Sequence, residues 1–312
     1  RNQRGPGGGH GSGVCYERAL GPAGECAVTD KWTRAAMALR GGADLILELP
    51  TPWACASAET FGRGGVGVLS ATGVVDTLSF GSESGDLEGL KRAAECLDSE
   101  DYRTALRGFL DQGLPFAVCR HRAAKALLGA EGAACLENPN DNLGVEYLRA
   151  LPPEMEALTV KRVGARHDGA PAEGVASAST LRGWLHQGKI ARTEAYLTEA
   201  WQGDIASMEW CERWVLARLR TMTLAEAEAL PDSGEGLAAR LLAAGREASG
   251  LEEVYGLAKT KRYAHARVRR LTVWAMLGLR AADRPAAVPY LKVLGFTGRG
   301  REVLREMGRR AA

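Results

Sequence analysis

Between residues 43 and 80 the apolar positions follow a strand pattern, then a helix pattern, then a strand pattern again. Residues 43–49 (ADLILEL) are apolar on both faces over most of their length and end at Pro50, which is typical of a strand buried in a parallel sheet. Apolar residues recur at helical spacing from about 57 to 69, and residues 74–80 (VVDTLSF) form the second predicted strand. This succession predicts a βαβ unit.

The rest of the chain has mainly helical spacing, with one more predicted strand at 158–163. The predicted helices that precede residue 190 are 86–97, 102–112, 120–128, 142–151 and 179–187. Beyond Thr193 nearly every apolar spacing is helical. We therefore predict an α/β, Rossmann-like domain with a parallel sheet at 24–190, followed by an all-helical region at 191–312.

The first 13 residues contain six glycines and no apolar periodicity. Such a segment cannot build a strand or a packed helix from its own side chains. We therefore predict that residues 1–23 are a disordered or non-native N-terminal segment.

Composition and charge narrow the class of protein. The 312 residues are 46% hydrophobic and 25% charged, which is enough to bury a substantial core. The net charge is only +2, but residues 251–312 hold 14 Lys/Arg against 5 Asp/Glu, so they carry +9 and residues 1–250 carry −7. A basic region of this kind suits a polyanion such as RNA. A solvated helical face explains the charge equally well.

Several other classes are disfavoured. The seven cysteines are odd in number and contain no C-x-x-C pair, which argues against a disulfide framework and a zinc ribbon. The five histidines show no zinc-ligand spacing. No apolar run approaches the roughly 20 residues of a membrane span, and no signal-peptide core is present, so we expect a cytoplasmic protein.

Two phosphate-binding motifs can be set aside. Residues 62–67 (GRGGVG) fit G-x-G-x-x-G, but they fall inside a predicted helix rather than in a strand-to-helix turn. Small residues that let this helix lie close to a sheet explain them better. No Walker A sequence occurs, so a triphosphate would have to be held in another way.

Three short segments carry candidate chemistry, each with a plainer alternative. Residues 80–83 (FGSE) follow a predicted parallel strand, where ligands bind in α/β sheets, although an ordinary turn would look the same. Asn140 and Asp141 precede a predicted helix and could simply cap it. Residues 176–182 (ASASTLR) place hydroxyls at a helix start with Arg182 one turn inside, which suits a phosphate or a simple cap.

Taken together, these segments resemble the bacterial tRNA(Met) cytidine acetate ligases of the nucleotidyltransferase superfamily. The matching stretches are GECAVTDKW at 24–32, GADLILELP at 42–50, SAE at 57–59, FGSE at 80–83, PNDNLGVEY at 139–147, VKRV at 160–163, ASASTLR at 176–182, KTKRYAHAR at 259–267 and VLGF at 293–296. Their order and approximate spacing are kept from residue 24 to the C-terminus. The predicted α/β domain is accordingly expected to be a nucleotidyltransferase domain.

The resemblance implies a concrete reaction. Acetate attacks the α-phosphorus of ATP and releases pyrophosphate, and the acetyl-adenylate then acetylates N4 of the wobble cytidine of elongator tRNA(Met). It implies ATP contacts from six residues, namely Gly81, Asn140, Arg162, Ser177, Ser179 and Arg182. Lys31 would add positive charge near the phosphates as the catalytic residue, and Mg²⁺ is the expected counterion. No protein partner is implied.

One part of the family pattern is missing. The family begins with a strand and an H-x-G-H-type loop whose histidines contact the phosphates, whereas residues 4–11 (RGPGGGHG) offer His10 alone. This difference predicts one of two things: the sequence is a fragment or a misread gene product, or the protein has lost the first half of its phosphate site. Two alternative functions stay open: a catalytically impaired RNA-binding relative, and a nucleotidyltransferase that acts on a small metabolite.

Six basic residues near the C-terminus are the expected tRNA contacts. They are Lys259, Lys261, Arg262, Arg267, Arg269 and Arg270. On one continuous helix, four of them (259, 262, 269 and 270) would lie broadly to one side, with Val268, Leu271 and Trp274 in packing positions. The alternative is that these side chains pair with acidic residues of the N-terminal region.

Overall fold

The computed structural model describes residues 12–17, 20–163, 171, 174–197, 201 and 203–310. Its five strands are β1 (Gly13–Glu17), β2 (Leu45–Leu49), β3 (Thr77–Ser82), β4 (Glu156–Lys161) and β5 (Val293–Phe296). The helices in these residues are α1 (Lys31–Arg40), α2 (Thr51–Ala54), α3 (Ala58–Ser70), α4 (Leu87–Asp98), α5 (Glu100–Leu110), α6 (Phe116–Ala133), α7 (Pro139–Ala150), α8 (Ala178–His186), α9 (Ile190–Glu194), α10 (Glu212–Thr221), α11 (Leu224–Glu228), α12 (Leu237–Glu247), α13 (Leu251–Ala258), α14 (His265–Leu277) and α15 (Gly298–Arg310). The mixed α/β class is confirmed.

Two small sheets form within the described residues. In the first, β2 lies between β1, which is parallel to it, and β5, which is antiparallel. In the second, β3 and β4 pair in parallel, with Gly81 opposite Val160 and Ser82 opposite Lys161. All five residues of β2 are buried, as the continuous apolar run predicts for a strand covered on both faces.

The predicted succession of strand, helix and strand is confirmed as β2, α3 and β3, with shifted ends. The βαβ unit itself is wrong for the described residues, because β2 and β3 lie in different sheets. β3 begins at Thr77 rather than at residue 74, and β4 covers 156–161 rather than 158–163. Helices α6 and α7 begin earlier than predicted, at Phe116 and Pro139. Proline is well tolerated in the first helical turn because its missing N–H has no helical acceptor there.

The prediction of an N-terminal disordered segment up to residue 23 is wrong for its described part. Gly13–Glu17 pair in parallel with β2. Backbone hydrogen bonds hold this strand, and such bonds leave no periodic pattern of apolar residues in the sequence. Leu20 is buried and forms a bridge with Cys26. Residues 1–11, including His10, lie outside the described residues.

The prediction of an all-helical region at 191–312 is wrong for its last part. Residues 293–296 form β5 and return to pair with β2, and α15 packs against the same strands. Apolar side chains from this return segment cover β2 and Trp53; they are Val288, Leu291, Val293, Val303, Leu304 and Met307. The chain therefore crosses back over the boundary that was predicted near residue 190.

Two glycines allow backbones to approach closely. Gly24 has φ +73°, and a Cβ there would overlap the backbone of Arg269 and Arg270 on α14. Gly64, in the GRGGVG segment, lies against the Trp53 side chain, while Gly62 lies against the backbone of α7. The close approach predicted for these α3 glycines is confirmed, but its partners are α7 and Trp53 rather than a sheet.

Two main apolar cores result from this packing. One lies among α4, α5, α6, α7 and β3, and includes Phe80, Leu90 and Val145. The other is built mainly by helices after residue 211 and includes Leu219, Leu241 and Trp274. In the part of the chain that the structure describes, no helix has the length and apolar character of a membrane span.

Candidate functional site

The carboxyl ends of β3 and β4 place two of the predicted ATP residues side by side. Gly81 is exposed at the end of β3, and a Cβ built there would lie 3.4 Å from Cγ of Arg162. The Arg162 backbone N–H donates to the Ser82 carbonyl over 2.8 Å, which extends the pairing one residue beyond β4. A glycine at this edge leaves room beside the aliphatic part of the Arg162 side chain, at the end of the strands where ligands bind in parallel sheets.

Glu83 joins this edge to the third predicted residue, Asn140. Its Oε1 accepts from Asn140 Nδ2 at 2.6 Å and from the Asn140 backbone N–H at 3.2 Å, and its Oε2 accepts from the Asp141 backbone N–H at 2.7 Å. The expectation that Asn140 or Asp141 caps the helix is wrong, because both lie inside the first turn of α7. The N-terminus of α7 is instead satisfied by a carboxylate that follows β3.

The pKa of Glu83 reflects these bonds. Partial burial acts to raise it, but the hydrogen bonds from the Asn140 side chain and from the two backbone N–H groups outweigh burial and lower the pKa from its ordinary value of 4.5. Glu83 is therefore ionised at neutral pH and acts as an acceptor only.

Asp141 holds the turn between β3 and α4. It is fully buried, and its Oδ1 accepts from the Ser84 backbone N–H and from the Ser84 hydroxyl, both at 3.0 Å. Its Oδ2 accepts from Asn138 Nδ2 at 3.0 Å. Two carboxylates thus tie residues 83 and 84 to residues 140 and 141, which are 57 positions further along the chain.

The ASASTLR segment forms the start of α8, as predicted. Ser177 is the N-cap: its Oγ accepts from the Thr180 backbone N–H at 3.1 Å and lies 2.9 Å from the hydroxyl of Ser179. Arg182 is half-buried on α8 and makes no hydrogen bond or ion pair with the described residues. Capping is therefore confirmed for Ser177, and the donors of Arg182 have no acceptor among the described residues.

Lys31 lies at the start of α1, where Asp30 caps the helix. Its Nζ is 2.6 Å from Oε2 of Glu48, which is almost completely buried on β2, and 5.1 Å from the centre of the Trp32 ring. Lys292 also approaches Glu48, at 4.0 Å. Lys31 therefore already has a carboxylate partner, which no local sequence pattern indicates.

The predicted residues form two groups and one separate lysine. Gly81, Arg162 and Asn140 come together at the ends of β3 and β4, whereas Ser177, Ser179 and Arg182 share the first turn of α8. Hydrogen bonds and ion pairs of the described residues do not join Lys31 to either group. Two carboxylates were missed, Glu83 and Glu48, although both stand in the matching stretches FGSE and GADLILELP.

The single helix predicted for the basic residues 259–270 is wrong. Helix α13 ends at Ala258 and α14 begins at His265, so Lys259, Lys261 and Arg262 lie on the connection between them. Tyr263 is buried in this connection and its hydroxyl donates to the Glu235 carbonyl, which draws the backbone inward. The three basic side chains are exposed and make no ion pair with described residues.

The other three basic residues are held by the protein itself. Arg267 donates to the Asp232 carbonyl at 2.8 Å, and Arg270 donates to the Pro22 carbonyl at 2.8 Å. Arg269 pairs with Glu25 and lies with its guanidinium 5.1 Å from the centre of the Tyr255 ring. The alternative that basic residues pair with the N-terminal part of the chain is thus confirmed for Arg269 and Glu25.

The model of the HIGH nucleotidyl transferase family matches residues 22–312. A tRNA(Met) cytidine acetate ligase of Thermoanaerobacter sp. (strain X514) is 32% identical and covers 92% of this chain and 76% of its own length. That of Syntrophotalea carbinolica is 36% identical and covers 90% of this chain and 71% of its own length.

The fold also matches solved structures. The apo form of Thermotoga maritima TmcAL superposes with a TM-score of 0.90 at 29% identity, over 96% of this chain and 77% of that one. The same protein bound with alpha-thio ATP superposes with a TM-score of 0.86, over 96% and 76% of the two chains.

Proposed function

Since the chain belongs to the tRNA(Met) cytidine acetate ligase family of HIGH nucleotidyl transferases, we propose that it uses ATP and acetate to acetylate the wobble cytidine of elongator tRNA(Met). The observation that carries the proposal is the group formed by Gly81, Arg162 and Asn140. It stands at the carboxyl ends of two parallel strands, where ligands bind in α/β sheets, and Glu83 holds the Asn140 amide in position.

The reaction has two steps. A carboxylate oxygen of acetate attacks the α-phosphorus of ATP, and the bond from this phosphorus to the bridging oxygen breaks, so pyrophosphate leaves with the electron pair. The N4 amine of cytidine then attacks the acetyl carbon, loses a proton and displaces AMP. The first step joins two anions, so positive charge and positioning lower its barrier most.

Each candidate residue has a role that its surroundings support. Gly81 leaves space for the nucleotide, and Asn140 and Arg162 donate hydrogen bonds at the same edge. The first turn of α8 supplies backbone N–H groups and the Arg182 guanidinium for phosphate oxygens. Lys31 is attracted to the buried Glu48 and would supply positive charge from there.

Mg²⁺ belongs to the proposal as the counterion of ATP. Among the described residues, no three His, Cys, Asp or Glu side chains gather into a metal site. The ion would therefore be held mainly by phosphate oxygens and water, which is usual for Mg²⁺ bound with nucleotides.

The test of this proposal is acetylation itself. We expect purified protein to form N4-acetylcytidine in elongator tRNA(Met) transcripts when ATP and [14C]acetate are supplied, with one AMP and one pyrophosphate per acetyl group. Acetyl-coenzyme A should not replace ATP and acetate. Incorporation from acetyl-coenzyme A alone would contradict the proposal, and so would tRNA binding without any turnover.

A second prediction concerns Arg182, which has no partner among the described residues. Arg182→Ala should weaken ATP binding by about 1.5–3 kcal/mol, the usual cost of losing one hydrogen-bonding partner of a charged group. The measurement is calorimetric titration with ATP at constant salt. Arg192→Ala, an exposed change on α9, is the control and should leave the affinity unchanged. If Arg182→Ala and Arg192→Ala bind ATP with equal affinity, the first turn of α8 is a helix cap and not a phosphate site.

A further inference from the structure

A cavity lies apart from the candidate ATP site. It has a volume of about 600 Å³ and is lined by α3, the second half of α7 and the segment 281–288. Its α7 lining begins at Glu146, six residues beyond Asn140, which is about 9 Å along a helix. None of the residues assigned above to ATP, acetate or tRNA lines this cavity.

Arg284 presents a guanidinium of defined orientation at this cavity. Its Nε donates to the Pro52 carbonyl at 2.8 Å, and its Cζ lies 5.3 Å from the centre of the Trp274 ring. Its two terminal amino groups make no hydrogen bond or ion pair with described residues. An arginine that is held at one edge and stacked on an indole loses little further freedom when its other donors bind a ligand.

Arg63 lines the same cavity from α3 and also lacks a hydrogen bond or ion pair with described residues. Burial lowers the pKa of Arg284, and the positive charge of Arg63 adds to this effect, although Asp232 opposes it. Two like charges therefore face a common space, and no described carboxylate forms an ion pair with either of them. An anion placed there would relieve their repulsion.

The acidic residues around the cavity are mostly engaged elsewhere. Arg149 binds Asp98 and Glu146, each at 2.7 Å, and Glu146 also accepts from Arg120 at 2.6 Å. Glu59 lines the rim, is exposed and forms no ion pair with described residues. Among the described residues, no acidic side chain therefore forms an ion pair with Arg63 or Arg284, so an anionic ligand can bind both.

We propose that this cavity binds a phosphate group between Arg63 and Arg284. Two guanidinium forks can each donate two parallel hydrogen bonds to a tetrahedral anion. Thr60, which lies one turn before Arg63 on α3, lines the same space and adds a hydroxyl donor. The group is either free phosphate or a phosphodiester of the RNA substrate; only the second source depends on the function proposed above.

The experiment titrates inorganic phosphate into the full chain in the presence of saturating ATP, so that phosphate does not enter the ATP site. We expect saturable binding that Arg63→Ala weakens at least tenfold, in line with the loss of a charged donor pair. Arg284→Lys should also weaken phosphate binding, because it keeps the positive charge but loses the fork of guanidinium donors. Arg107→Ala, an exposed change on α5, should bind phosphate as the wild type does.

A tRNA-binding measurement across salt concentrations separates the two sources. For free phosphate, Arg63→Ala leaves the tRNA affinity and its salt dependence unchanged. For an RNA phosphodiester, the same variant lowers the slope of log affinity against log salt by about 0.7–0.9, and phosphate competes with tRNA. The proposal is overturned if wild-type protein binds no phosphate beside ATP, or if Arg63→Ala binds it equally well. Acetylation without phosphate binding would leave the proposed function intact and remove only this site.

Discussion

Replacing Glu83 with alanine is expected to weaken ATP binding by about 10- to 100-fold and to lower the stability of the fold. The carboxylate accepts three hydrogen bonds, from the Asn140 side chain and from the backbone N–H groups of Asn140 and Asp141. A hydrogen bond to a charged group is worth about 1.5–3 kcal/mol, and three bonds to one carboxylate add less than fully. Calorimetric titration with ATP and denaturant unfolding measure the two effects.

Two matched variants show whether position or charge matters. Glu83→Gln keeps an acceptor oxygen but loses the charge, so we expect an ATP affinity between those of wild type and Glu83→Ala. Glu88→Ala removes an exposed carboxylate of α4 that pairs only with its neighbour Lys91 among the described residues, and it should leave ATP binding unchanged. If Glu83→Ala and Glu88→Ala bind ATP alike, Asn140 is not positioned for ATP by Glu83.

The same interaction predicts a dependence on pH. The folded pKa of Glu83 is below its ordinary value of 4.5, so its stabilising contribution is complete above that ordinary value and is lost as the pH falls through the folded pKa. The stability difference between wild type and Glu83→Gln should therefore be constant near neutral pH and shrink in acid. A difference that grows with acidity would contradict this sign.

The sequence predicted the parts of the site that depend on strand ends. Gly81 follows the strand predicted at 74–80, and Arg162, which the family resemblance names, lies near the end of the strand predicted at 158–163. The structure brings the two together because residues at the carboxyl ends of paired parallel strands lie side by side. The partner of Asn140 was not predictable in this way, because Glu83 reaches it across 57 residues of chain. Helix-start statistics favour a local cap and contain no information about a carboxylate from a distant strand end.

Two segments were mispredicted because tertiary contacts outweigh local preference. Residues 259–270 consist largely of good helix formers, but Tyr263 is buried against the Glu235 carbonyl and divides them into a connection and a helix. The four residues of β5 lie in a region of helical spacing, and their antiparallel pairing with β2 has no signal in their own sequence.

The position of the basic residues gives the last prediction, which concerns tRNA. Lys259, Lys261 and Arg262 are exposed on the connection between α13 and α14, whereas Arg267, Arg269 and Arg270 are bound to the protein. The triple alanine variant of the exposed three should lower tRNA affinity and reduce the slope of log affinity against log salt by about 0.7–0.9 for each phosphate that is no longer neutralised. Filter binding across salt concentrations measures both.

Arg269→Ala is the control, since it removes one positive charge from a side chain that already binds within the protein. This arginine pairs with Glu25 and stacks on Tyr255, so its removal should cost about 1–3 kcal/mol of folding free energy and leave the salt slope unchanged. The triple variant should unfold like the wild type and bind ATP equally well, because the three side chains that it replaces pair with no described acidic residue. An unchanged salt slope in the triple variant would show that this connection does not contact tRNA. A reduced slope in Arg269→Ala with full stability would assign the phosphate contact to α14 instead.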